Sequence, residues 1–170
     1  MIVRYQDETI TSELLRLEPL SVEHASAMVE VLADASLYVY TGGEAPSLEQ
    51  LQRRYEIQAV GHSGDSLQEW FNWIVKLQDS DAPIGFVQAT VESSGSELVA
   101  CIAWVISPNF QGQGMASEAT NAMCDWLRSR GVDNFVAYIH PEHLASMGVA
   151  LKQGLHPTAV EEDGEVRWES

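Results

Sequence analysis

The sequence predicts a mixed α/β fold: a mostly antiparallel sheet in a single domain, residues 1–170. Three observations predict it. The chain has 170 residues, close to the roughly 150 expected of one domain. Residues 70–106 hold three strand-like runs separated by short turns, the spacing of an antiparallel meander. The apolar period then lengthens to that of a helix over 115–130 and returns to alternation over 132–139, a strand–helix–strand crossover.

Each element has its own signal. Leu14 to Leu17 reads as a first strand closed by Pro19. Ser21 caps a helix running to about Leu32, with Val22, Ala25, Met28, Val29 and Leu32 on its buried face. Ser47 and Gln50 form a capping box for a second helix, whose buried face uses Leu48, Leu51, Tyr55 and Ala59. Trp70–Leu77, Ile84–Val91 and Leu98–Ile106 are the meander strands, with turns at Asp79–Pro83 and Ser93–Ser96. Met115–Arg130 is an amphipathic helix ended by Gly131, and Val132–Ile139 is the next strand. Ser146–Gln153 is a short helix stopped by Gly154. Leu155–Val160 and Val166–Trp168 form a closing hairpin around Gly164, and the acidic tail 161–170 is read as a solvated edge.

Composition excludes several classes. Apolar residues make up 45% and charged residues 20%, a globular balance that needs no metal or disulfide to hold a core. Asp and Glu number 25 against 9 Lys and Arg, a formal charge of −16. Such a chain is repelled by nucleic acid and by anionic membranes; its field either favours a cationic partner such as an amine or only keeps the protein soluble or suits a salty habitat. The Arg53–Arg54 pair reads as a solvated helix face and the Arg128/Arg130 pair as the end of a helix. No run reaches the 18 or so apolar residues of a spanning helix. The N-terminal stretch MIVRYQDETI lacks a signal-peptide core, so a cytoplasmic protein is the default expectation. Cys101 and Cys124 sit in apolar runs and read as buried free thiols.

The chemistry points to residues 107–118, Ser-Pro-Asn-Phe-Gln-Gly-Gln-Gly-Met-Ala-Ser-Glu. An apolar strand feeds two glycines, and a helix follows at once. Small residues at 112, 114 and 116 admit a ligand close to the backbone. The free N–H groups of the first helical turn, added to the helix dipole, make an anion site that needs no lysine. An ordinary tight turn is the competing reading. The dinucleotide fingerprint and the P-loop are both excluded, since neither G-x-G-x-x-G nor G-K-[ST] is present.

Gln111-Gly112-Gln113-Gly114-Met115-Ala116 resembles the pyrophosphate loop of the GNAT superfamily of N-acetyltransferases, [Q/R]-x-x-G-x-[G/A]. Glu118-Ala119 resembles the Glu-Ala that follows it in the ribosomal-protein N-acetyltransferase branch. Residues 143–155 are similar to N-x-x-S-x-x-V-x-x-K-x-G-F through Ser146, Val149, Lys152 and Gly154, with His143 in place of Asn and Leu155 in place of Phe. The opening 11–17 is also like that branch's start.

The resemblance implies a mostly antiparallel sheet with helices on both faces and acetyl-CoA as cosubstrate, held in a splay between the fourth and fifth strands. Trp104, Val105 and Ile106 would pair with the pantetheine arm. Gln111, Gly112, Gln113, Gly114, Met115 and Ala116 would hold the pyrophosphate, with His143 and Ser146 beside the cofactor. The N–H of Val105 or Ile106 would stabilise the oxyanion. Ser146 is either the proton donor to the leaving thiolate, in place of the family's usual Tyr (here Ala150), or only a helix cap. His143 is either a cofactor contact or a solvated loop residue, and His140 ends the fifth strand facing the splay or the surface. Glu97 leads the candidates for the base, before Glu92, Glu56 and Glu69. Tyr38 and Tyr40 either shape the acceptor pocket or pack in the core; Trp70 and Trp73, three apart on one strand, point to opposite faces, one to the core and the other to the acceptor groove, which is assigned to Trp73.

The leading expectation is therefore acetyl transfer to a small-molecule or peptide amine by direct attack, with neither nucleic acid nor membrane as partner. A homodimer is a further expectation from the resemblance. An acetyl-CoA-binding sensor that no longer turns over is the alternative.

Overall fold

The computed structural model describes residues 8–170, so the reading of the N-terminal stretch falls largely outside the described residues. In chain order the elements are β1 (Ile10–Thr11), β2 (Leu15–Pro19), α1 (Ala25–Val31), α2 (Leu48–Gln58), β3 (Gln68–Leu77), β4 (Pro83–Ser94) and β5 (Glu97–Ile106). There follow α3 (Met115–Arg128), β6 (Asn134–Ile139), α4 (Leu144–Lys152), β7 (His156–Glu162) and β8 (Glu165–Glu169). The strands form one eight-stranded sheet in the order β1-β2-β3-β4-β5-β6-β8-β7. Every neighbouring pair is antiparallel except β5 and β6.

Helices cover both faces, as the alternation of the strands requires. On one face Phe71, Trp73 and Val75 of β3 pack with Ala100, Ile102 and Ile106 of β5 beneath Ala119, Met123, Trp126 and Leu127 of α3. On the other, Ile74 meets Ala25, Met28 and Leu32 from α1 and its end, and Leu51 and Tyr55 of α2. The capping box of α2 forms as expected: the Gln50 N–H donates to Ser47 Oγ at 3.2 Å, and the Ser47 N–H donates to Gln50 Oε1 at 2.9 Å. Leu48 and Ala59 were expected on its buried face but are exposed, because α2 turns only Leu51 and Tyr55 fully inward.

Three other expectations change. A 3-10 turn over Val22–His24 opens the first helix, so α1 proper begins at Ala25. The helix α4 begins at Leu144, two residues earlier than its apolar pattern suggests. The tail is not a solvated edge: β8 pairs with β6, Trp168 lies opposite Ala137 and is buried, and β7 takes the edge.

Antiparallel pairing sets Gly85, near the start of β4, opposite Ile106 at the end of β5. A Cβ there would lie 2.0 Å from the Val105 carbonyl oxygen, so no larger residue fits without moving β5. Among the described residues no helix is long and apolar enough to cross a membrane.

Candidate functional site

The parallel strands β5 and β6 part company. They pair at Val99–Asn134, Ala100–Phe135 and Cys101–Val136 and no further. From there β6 continues beside β8 to Ile139, while β5 continues beside β4 to Ile106. The β6 side of residues 102–106 is left as a gap. These are the expected fourth and fifth strands, and the fork lies where the splay was expected.

Ladder alternation decides which backbone groups face the gap. The Ser107 N–H donates to the Ile84 carbonyl at 2.7 Å, so the odd-numbered residues of this end of β5 direct their backbone groups to β4. The backbone of Trp104 and the N–H of Ile106 therefore face the gap. Val105 turns its N–H toward β4, so of the two expected oxyanion donors only Ile106 has an N–H that faces the gap. The Ile106 carbonyl accepts from Gln111 Nε2 at 2.8 Å. That bond ties the loop to the strand end and makes Gln111 a brace for the loop.

Beyond the strand end the chain makes a 3-10 turn at Pro108–Phe110 and passes through Gly112 (φ 73°) and Gly114 (φ 80°). Both are in the left-handed region that glycine alone adopts cheaply. Gly114 is the N-cap of α3, and no side chain caps the helix. The first intrahelical bond is Glu118 N–H to the Gly114 carbonyl at 3.0 Å. The amides of Met115, Ala116 and Ser117 thus have no partner among the described residues. A Cβ at Gly112 or Gly114 would meet nothing within 4 Å, so the space before the amides is open. Glu118 is turned away from it: its Oε2 accepts from Ser12 Oγ at 3.0 Å and from the Leu14 N–H at 3.3 Å, pinning the first turn of α3 to the β1–β2 connection.

The other lip of the gap is the start of α4. His143 is its N-cap, and its Nδ1 accepts the Ser146 N–H at 3.4 Å. This overturns the reading of Ser146 as cap: it occupies the third helical position, half-buried, and its hydroxyl has no hydrogen-bond partner among the described residues. Tyr40, from the connection between α1 and α2, stacks on the His143 ring at 4.5 Å and 25°, and lies 5.2 Å from the His140 ring. Burial, then the neighbouring His140, holds the His143 pKa below its ordinary value. The positive end of α4 acts in the same direction.

The remaining candidates separate. Tyr38 is committed elsewhere: its hydroxyl donates to the Leu32 carbonyl at 2.6 Å, fastening the α1–α2 connection to the end of α1. Trp73 is 1% exposed, in the core with Phe71 and Trp126, and its Nε1 donates to the Glu8 carbonyl. It cannot line an acceptor groove, because strand parity puts it under α3. Glu97 begins β5, exposed, and accepts from Asn134 Nδ2 at 3.3 Å. It lies four residues before Cys101 on the zipped side of the fork, roughly 13 Å away along the strand. Glu92 and Glu69 share that end of the sheet, and Glu56 is on the exposed side of α2. None of these carboxylates reaches the gap.

A carboxylate not anticipated from sequence does lie nearby. Glu165 precedes Val166, which pairs with Ile139, so it stands across from His140 at the open end of the fork. Burial raises its carboxyl, and the charge of His140 acts against that rise. Only the register of β8 on β6 places it there, and that register has no sequence signal. Neither thiol is activated. Burial pushes Cys124 up to about 12, and the atoms packed around the Cys101 sulfur raise it despite the residue's exposure.

The forked parallel strand pair, with an uncapped helix start beyond one prong, is the splay expected from the resemblance to the acetyltransferases. Residues 15–156 match the family model described as "Acetyltransferase (GNAT) domain", and the chain belongs to that family. It is 24% identical over 147 residues to the uncharacterized N-acetyltransferase YnaD of Bacillus subtilis, covering 86% of this chain and 81% of that one. A putative ribosomal-protein-serine acetyltransferase from Vibrio cholerae has the same fold, with TM-score 0.75 and 16% identity over 97% of this chain and 98% of that one. So does RimL, a ribosomal L7/L12 alpha-N-protein acetyltransferase, solved in complex with coenzyme A: TM-score 0.73 and 17% identity over 96% of this chain and 97% of that one.

Proposed function

We propose that this chain transfers the acetyl group of acetyl-CoA to a primary amine by direct attack, without an acyl-enzyme. The observation that carries the reading is the row of unpartnered amides at the start of α3, opening onto unfilled space beside the fork. Neutral N–H groups suit a diphosphate on a protein of charge −16, because they supply local positive potential without an added cation.

Bound acetyl-CoA supplies the activated acyl group as a thioester. Gly112, Gln113, Gly114, Met115 and Ala116 present their amides to its diphosphate, and the gap-facing backbone of Trp104 pairs with its amide-bearing arm. The Ile106 N–H donates to the carbonyl oxygen as negative charge develops there. Ser146 Oγ, uncommitted in the fold, donates a hydrogen bond to the departing sulfur. Tyr40 forms part of the acceptor wall, and Glu165 offers an approaching ammonium a carboxylate, through which the proton it must lose before its nitrogen attacks passes to solvent. We place it with the ribosomal-protein branch on the Glu118-Ala119 and Ser146 positions, and two of the similar folds carry that description. The acceptor is then a peptide α-amine or a small cationic amine.

A thiol-release assay with acetyl-CoA over a panel of α-amines, polyamines and amino sugars tests the reading. Release that depends on the amine supports it. Tight acetyl-CoA binding with no release on any acceptor would leave a binding module instead.

A further inference from the structure

The cap of α4 is a titratable side chain. A backbone N–H only donates, so the bond from Ser146 to His143 Nδ1 requires that nitrogen to be unprotonated. The neutral ring must then carry its proton on Nε2. His140 is fixed in the same way, since its Nδ1 accepts the Glu142 N–H at 3.1 Å. Protonated imidazole has an N–H at both positions. A proton on Nδ1 of His143 would face the Ser146 N–H donor to donor, and the cap bond would be lost.

We propose that His143 is a positioning residue: its unprotonated ring holds the first turn of α4, and with it Ser146, in place, and protonation releases both. The inference rests on the proposed role of Ser146 and deepens it. The groups packed around the ring agree with it. Tyr40 supplies an aromatic face from the α1–α2 connection, and His140 stands on the same loop. Glu165 of β8 reaches this group through His140, while Glu142 is exposed with its N–H bonded to His140. Lys152 is at the far end of α4. Burial and the α4 dipole oppose the imidazolium. The ring's folded pKa lies below its ordinary value of 6.5, so the cap is complete above that pH and is lost as pH falls through the lowered value.

Two readouts on the intact protein test this. In ¹⁵N-labelled protein, imidazole correlations from pH 5 to 8.5 should show the Nε2–H tautomer at high pH. The Ser146 amide should then titrate with the same midpoint as the His143 ring. In the acetyl-transfer assay, wild-type kcat should fall about tenfold per pH unit below that midpoint. His143→Asn keeps a capping acceptor but does not titrate, so its profile, normalised to pH 8, should lose this acid limb. His143→Ala should lower kcat across the range with a smaller change in KM. An Nδ1–H tautomer, a Ser146 amide indifferent to the ring, or an unchanged acid limb in His143→Asn would overturn the proposal. The last outcome would place the limb on another group. Should His143→Asn not fold, the wild-type NMR titration decides alone. Absence of turnover with every amine would fell the acetyl-transfer reading, while the NMR titration still decides whether the cap titrates.

Discussion

Gly114 caps α3, and its left-handed backbone leaves the α3 amides facing open space. Gly114→Trp should fill that space. Losing two amide contacts to a charged diphosphate, each worth roughly 1.5–3 kcal/mol, should weaken acetyl-CoA binding about a hundredfold or more by isothermal titration. Ser146→Ala removes the proposed donor to the leaving sulfur. It should lower kcat about a hundredfold, at the small end of such donors, while acetyl-CoA affinity stays within a few fold. At this scale the sequence was partly legible. The glycine loop could be read because its function is written in backbone freedom at adjacent positions. Tyr40 on His143 and Glu165 across from His140 could not, because each joins segments far apart in the chain. Trp73 shows the limit of parity, which separates the two faces of a strand but does not say which face a helix will cover.

The prongs of the fork have separate neighbours, β5 pairing with β4 and β6 with β8. Farther along the sheet, between β2 and β3, Glu18 accepts from His24, Lys76 and Arg16. Burial alone would raise its carboxyl, but those hydrogen bonds outweigh burial and bring its pKa down to about 2. A depressed carboxyl stabilises the fold above its unfolded value of 4.5, and this contribution is lost as pH falls toward 2. Glu18→Gln should lower Tm at pH 7 and make the fall in Tm between pH 4.5 and 2 shallower, as read by circular dichroism. Gly85→Ala would force β5 away from β4 beside the oxyanion donor, so kcat should fall together with Tm. Most of these elements were legible: the meander turns at Asp79–Pro83 and Gly95 and the Ser47–Gln50 box are local signals. The insertion of β8 between β6 and β7 is not local. Nothing in residues 155–170 states which strand of a hairpin will pair inward.

Over the whole molecule, the 25 acidic residues set a negative field while the site itself uses uncharged donors. A cationic acceptor should therefore be drawn in by long-range attraction that salt screens, the Debye length being about 10 Å at 0.1 M. Its KM should rise with ionic strength, and that of an uncharged amine should not. The proposed function puts acetyl-CoA in the β5–β6 fork with its diphosphate on the first turn of α3. An amide chemical-shift titration of ¹⁵N-labelled protein with acetyl-CoA tests that placement. The largest shifts should fall on residues 112–117, with Trp104 and Ile106 moving in step. Saturation that leaves those amides unmoved would contradict it.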